Sequence, residues 1–257
     1  MIQVYRIPVP KDRLQAMPKE ERVFLLLLGY AANQLSMLQK LLMFSSNKMP
    51  SNELEQHLSG AQTQMLVRYI IGILHETWLL IERHYISKPL GRDYQSRLDA
   101  GGQEALANLR KQFGGSNLLS RIRNNVSFHY PKIDDVEAAF ASACNDSNLD
   151  DHWNLYFSQY GFNSFYFLSD LIIIHGIRDG VGEADLIATQ KKVMAETVSA
   201  VQYIFEFSKA FTAAAWIKNF GVEMLAKDVV PIQGAPNVGD VWIPFFVEME
   251  PSSISNL

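Results

Sequence analysis

Cysteine is almost absent from this 257-residue chain, where Cys144 stands alone. One thiol excludes an intramolecular disulfide framework and a thiolate zinc cluster, and it suits a reducing compartment. An excess of positive charge is missing too. Charged residues make up 19% of the chain and the net charge is −4, so contact with a polyanion has to be local rather than spread over a basic surface. Long apolar runs are lacking: Phe24 to Leu28 is short, and Leu66 to Ile81 is interrupted by Arg68, His75 and Glu76. Neither suits a membrane span. Met1 to Pro8 contains no apolar core of signal-peptide length. The expectation is a soluble, cytoplasmic protein without a membrane partner.

Cofactor and metal signatures are also scarce. Gly234-Ala235-Pro236-Asn237-Val238-Gly239 is followed by neither Lys-Ser/Thr nor a helix signal, so it is no phosphate loop. His75, Glu76, Glu82 and His84 fall in one helix but form no Glu-x-x-His or His-Glu-x-x-His run, and read as a polar helix face. His175, after Leu171-Ile172-Ile173-Ile174, reads as a satisfied core or helix-end histidine. No cofactor and no metal are expected.

What the chain does have is helix. Pro18-Lys19-Glu20-Glu21 starts an apolar helix from Val23 to Phe44 that closes at Ser45-Ser46-Asn47. A second helix opens near Ser51 or Asn52, with Glu55 completing a capping-box-like pair, and runs to about Tyr85 unless Gly60 or Gly72 bends it. Pro89 forces a stop. Shorter helices follow over Gln103 to Phe113, from a cap at Ser116 to Pro131, and over Asp134 to Ala143.

An aromatic segment from Trp153 to Phe167 leads into a helix ending near Gly176 or Gly180. It lacks interleaved basic residues, which favours core or dimer packing over base stacking. The last helix spans Glu183 to Asn219, with Val193, Val198, Val201, Ile204, Phe205, Phe207 and Phe211 inward, and Gly221 terminates it. Extended segments are expected at Val229 to Ile232 and Val241 to Val247, beside a strand-like Ile2 to Val9. The fold class is all-α: a helical bundle with long helices and short extended N- and C-terminal segments. Residues 1–220 form the bundle domain, with its core at about 20–220, and residues 221–257 form a C-terminal extension with short strands.

The chemistry concentrates in Arg123-Asn124-Asn125-Val126-Ser127-Phe128-His129-Tyr130-Pro131. A guanidinium presents a planar fork of donors to phosphate oxygens, and an imidazole exchanges protons near neutral pH. Between Ala105 and Ile133 the chain carries Arg110, Lys111, Arg121, Arg123 and Lys132 without one Asp or Glu. The pattern of an arginine, a polar residue directly after it and a histidine six positions beyond the arginine, with five residues between, resembles the signature of HEPN domains.

That resemblance implies a HEPN-like all-α bundle, a homodimer, and a metal-independent endoribonuclease of toxin or defence type with RNA and an antitoxin or other protein as partners. Arg123, Asn124 and His129 would be the catalytic residues, and Arg121, Tyr130 and Lys132 would bind substrate. Some family members have no catalytic role, so a noncatalytic helical dimerisation or protein-interaction role stays open beside it, with a small-ligand or metal-binding bundle behind both. On an ideal α-helix Arg123 and His129 lie about 120° apart in rotation and about 9 Å apart along the axis. Either the helix loosens before Pro131, or the groups converge across a twofold interface.

Overall fold

No charged side chain falls between Arg22 and Lys40, and in the computed structural model that stretch is the middle of a long helix packed along its length. The structure describes residues 2–115, 117–127, 130–147, 149, 152–183, 185–221 and 228–248. Its framework is α2 (Lys19–Ser45), α3 (Glu53–Ile81) and α9 (Leu186–Phe220), preceded by β1 (Ile2–Arg6) and α1 (Lys11–Ala16). Between α3 and α9 come α4 (Pro89–Gln95), α5 (Ala100–Phe113), α6 (Leu118–Ile122), α7 (Ile133–Cys144) and α8 (Phe167–Val181), and β2 (Asp228–Ile232) follows α9. The closest pairings are α5 on α9, α2 on α3, and α7 on α8.

The core is aromatic where α2, α3 and α9 meet. Phe24 lies edge-on to Phe211 with centroids 4.8 Å apart, Tyr85 lies edge-on to Phe207 at 5.1 Å, and Tyr94 contacts Phe211 at 4.9 Å. Edge-to-face rings add about 1 kcal/mol each beyond area burial. Helix α5 reaches α9 closely because Gly102 has no side chain: a Cβ there would come within 2.2 Å of the Ala210 Cβ.

A buried polar lock joins α2, α4 and α9. Glu21 of α2 accepts from the Tyr94 hydroxyl at 2.5 Å, from Asn219 Nδ2 at 2.9 Å and from the Lys218 ammonium. Burial alone would raise the Glu21 carboxyl; the hydrogen bonds from Lys218, Tyr94 and Asn219 and the Lys218 charge outweigh it and hold the group below its ordinary value. The Tyr94 phenol is pushed up, first by burial and then by its bond to Glu21.

Several boundaries differ from the sequence reading, each for a local reason. Helix α3 passes through Gly60 and Gly72 and changes only at Glu82–Ile86, where it widens into a π-helical turn. Asn52 caps α3 by accepting from Glu55 N at 2.9 Å, while the Glu55 carboxylate accepts from Ser51 N at 2.8 Å. The helix has ended by Lys88, which is extended before Pro89, and Pro89 also starts α4, because a first-turn residue needs no N–H donor. Helix α5 begins before both glycines, capped by Asp99, which accepts from Gly102 N at 2.8 Å. The cap of α6 is Asn117, accepting from Ser120 N at 2.8 Å; Ser116 lies outside the described residues.

Helix α8 runs through Gly176 and Gly180 and ends on Gly182 in the left-handed region, at φ +74. On α9, Val193, Val201, Ile204, Phe207 and Phe211 are buried and Phe205 is partly so, but Val198 faces solvent. Strand β1 pairs antiparallel with β2, Ile2 opposite Ile232 and Arg6 opposite Asp228. Val241 to Val247 forms no strand. It is fixed instead by Asn47, which donates to the Val241 carbonyl at 2.7 Å, and by Asn163, which exchanges hydrogen bonds with Val247. No helix among the described residues is long and apolar enough to cross a membrane.

Candidate functional site

The motif helix changes character at Arg123. Helix α6 is five residues long, and Arg123–Ser127 continue it as a π-helical turn. Such wide turns insert one extra residue per hydrogen-bonded ring and rotate the side chains that follow, which is why they gather at functional sites. The loosening expected before Pro131 is therefore present in the backbone up to Ser127. His129 lies outside the described residues, as does Phe128.

This turn lies along one face of α3. Met65, Arg68, Tyr69, Gly72, His75 and Glu76 recur at three- and four-residue steps and so share that face. At its C-terminal end, Arg123 Nη2 donates to Glu76 Oε1 at 2.6 Å and Arg123 Nη1 to Asn124 Oδ1 at 3.0 Å. One turn earlier, Ser120 Oγ is 3.3 Å from His75 Nδ1. Two consecutive α3 residues thus meet two motif residues that stand three apart.

Electrostatics at this cluster are finely divided. The Arg123 side chain is 23% exposed and Glu76 is 49% exposed, so their ion pair is screened and worth about 0–1 kcal/mol. Arg123 Nε is shielded and has no acceptor among the described residues. The guanidinium therefore has a charge-assisted hydrogen bond still to gain by turning toward an anion. The His75 imidazole is held below its ordinary value by burial first and by Arg123 second, with Glu76 and Glu82 opposing.

Toward the N-terminal end of α3 the same seam opens into a cavity of about 420 Å³. Met65, Arg68 and Tyr69 form one wall, Val126, Ser127, Tyr130 and Pro131 the other, and Ile173 of α8 the floor. Tyr130 is 99% exposed, and Arg68 is held by Asp170 at 3.2 Å. A second, more apolar hollow of about 660 Å³ adjoins it through Tyr130, Pro131 and Ile173, and runs between α7 and α8 past Val136, Phe140, Leu168 and Ile172.

Of the six site residues read from sequence, the five that lie among the described residues do not form one cluster. Arg123 and Asn124 come together, Tyr130 stands at the cavity rim, and Arg121 turns away to donate to the Gly180 carbonyl of α8 at 2.8 Å. Lys132 is exposed at the start of α7. The acid-free window around the motif is also not acid-free in space, because α3 supplies Glu76. His75 and Ser120 join this cluster although the sequence reading placed neither in the candidate site; the only signal was His75 beside Glu76, which read as a polar helix face.

His175 departs from the satisfied core histidine expected. It is fully buried on α8, and neither ring nitrogen has a hydrogen-bond partner among the described residues. Burial first, then the Arg178 charge, lowers its imidazole, against the pull of Asp146 and Asp179. Among the described residues no three His, Cys, Asp or Glu side chains gather as a metal site. No family model, curated protein or solved structure matches the chain.

Proposed function

We propose that this chain is a HEPN-like, metal-independent endoribonuclease of toxin or defence type, acting through Arg123, Asn124 and His129. The observation that carries the reading is the course of the π-helical turn. Its first residue, Arg123, stands in the polar cluster with Asn124, and its last, Val126 and Ser127, line the cavity walled by Tyr69 and Tyr130. From His75 back to Arg68 along α3 is about 10 Å. A phosphodiester at Arg123 would lie beside a hollow with aromatic walls, and aromatic faces stack unpaired bases.

Glu76 does not prevent this. A half-exposed ion pair of about 1 kcal/mol or less yields to a phosphate that offers charge-assisted hydrogen bonds, including one to Arg123 Nε, which has no acceptor among the described residues. Arg123 then stabilises charge building on the phosphoryl oxygens, Asn124 orients the guanidinium through the bond it already makes, and His129 transfers a proton. Tyr130 and Lys132 flank the path as substrate-binding groups; Arg121, tied to Gly180, supports α8 instead. A cytoplasmic setting, a homodimer and a neutralising protein partner are proposed on the same resemblance.

The test is cleavage of a diverse RNA pool in chelator by the wild type, Arg123→Ala and His129→Ala, each checked for folding. Cleavage by the wild type and at least about 100-fold less by both variants is expected. Equal cleavage by all three removes the site.

A second reading is favoured by α7. Only Ala139 and Ala143 of that helix are buried, while Ile133, Val136 and Phe140, with Tyr130 before them, expose apolar surface along the larger hollow. In this reading the chain is a noncatalytic dimerisation or interaction protein. Phe140→Glu would then abolish association, read as molar mass in solution, with no RNA cleavage to lose.

A further inference from the structure

Val241 to Val247 carries no charged side chain, and the bundle grips it as a receptor grips a peptide. Its exposure alternates: Val241, Ile243 and Phe245 are half-buried, whereas Trp242, Pro244 and Phe246 are exposed. That is the period of an extended strand, yet side chains rather than a strand engage its backbone. Asn163, itself buried, donates to the Val247 carbonyl at 2.8 Å and accepts from the Val247 N–H at 3.1 Å. Asn47, just beyond α2, donates to the carbonyls of Val238 and Val241. Main-chain hydrogen bonds of this kind give a peptide groove its affinity, and pockets for alternate side chains give it selectivity. Here selection falls on two aromatic residues three positions apart. Phe245 lies edge-on to Phe165, centroids 5.5 Å apart, in a cluster with Leu58 and Ala61 of α3. The Lys48 ammonium sits 5.0 Å from the centre of the Trp242 ring. Pro244 between them has no N–H, which is tolerated where no ladder forms.

This strap does not fill its seat. A hollow of about 200 Å³ remains between it and Phe44, Ser45, Leu58 and Ser59 of α2 and α3, so contacts are left for a bulkier occupant to make. Gln233 to Asn237, which join the strap to β2, are exposed throughout, and Gly234 takes the left-handed region at φ +69. We infer that this groove is a docking site for a partner protein's extended segment of the form aromatic-x-Pro-aromatic, and that residues 241–247 occupy it in cis until that segment displaces them. The tether gives the strap an effective concentration on the order of millimolar. A second copy brings the same residues without the tether and loses to the cis strap; a segment that also fills the hollow wins. The inference stands apart from the ribonuclease reading, since none of these residues belongs to the Arg123 seam.

The experiment titrates a fluorescent peptide of residues 239–248 with the full chain, read by anisotropy, for the wild type and for Trp242→Ala/Phe245→Ala, whose weakened strap leaves the groove free. The double variant should bind the peptide at least about tenfold tighter than the wild type does, and a peptide with both aromatic residues replaced by alanine should bind it at least about tenfold more weakly. Adding Asn163→Ala to the double variant should likewise weaken binding of the unaltered peptide. Should that chain fail to fold, Lys48→Ala, at a half-exposed side chain, takes its place with the same expectation. A double variant that binds no tighter than the wild type, or that binds both peptides equally, overturns the inference. So does a wild type with the molar mass of a dimer that Trp242→Ala/Phe245→Ala makes monomeric, because the occupant is then a second copy.

Discussion

Two of the carboxylate–cation contacts that join distant helices in this bundle are built in opposite ways. Glu21, 6% exposed, receives hydrogen bonds from Tyr94, Lys218 and Asn219, so its oxygens are engaged and α2, α4 and α9 are held together. Glu76 holds Arg123 from a half-exposed position, and the Nε–H of the guanidinium has no acceptor among the described residues. The first contact is closed and contributes to stability. The second is weak enough to open, as the phosphate binding proposed for Arg123 requires. The difference lies in desolvation: a buried charge must be fully paired, whereas a screened one can change partners.

The comparison can be broken most sharply at Glu21. Glu21→Ala leaves Lys218 and Tyr94 without their acceptor and should cost about 3 kcal/mol in urea unfolding; a loss under about 1 kcal/mol would place Glu21 with the surface pairs. Arg123→Ala should do the reverse, changing stability by about 1 kcal/mol or less while lowering RNA cleavage at least about 100-fold, measured on the same preparation.

Acidification separates the two regions by their pH windows. His175 and His75 are both held below the ordinary imidazole value in the folded chain. The unfolded chain therefore binds more protons as pH falls through about 6.5, and stability is lost from there downward until the folded imidazoles titrate. Glu21 is held below its ordinary carboxylate value, so its contribution persists through that range and is lost only at lower pH. Urea midpoints should drop between pH 7.5 and 5.5, and His175→Leu should flatten that slope; an unchanged slope would show that the buried imidazole does not drive it. The smallest effect is expected for Glu76→Gln, with stability within about 1 kcal/mol and inorganic phosphate bound up to about fivefold tighter, by NMR titration.

Much of the fold was legible because it is local. The acidic start of α2, the Asn52–Glu55 start of α3 and the Gly221 stop of α9 are fixed by residues within a turn of each boundary. The inward face of α9 followed from spacing, except at Val198, which no neighbour covers. Val241 to Val247 has strand composition but lies against side chains of Asn47 and Asn163, contacts 194 and 84 positions away that no local pattern encodes. The site was half legible for the same reason. Arg123 and Asn124 stand out in the sequence, but Glu76 reaches Arg123 across 47 positions and His75 reaches Ser120 across 45, and only the packing of α6 on α3 brings them there. His175 looked ordinary because sequence does not reveal whether a buried imidazole has a partner.

The central claim is that this seam cleaves RNA by proton transfer at an imidazole, and its most direct measurement is the chemistry of the product ends. RNA incubated with the protein in chelator should yield 2′,3′-cyclic phosphate and 5′-hydroxyl ends, detected by 31P NMR, and Arg123→Ala should suppress both. Intact RNA, or 3′-hydroxyl and 5′-phosphate ends, would contradict the account.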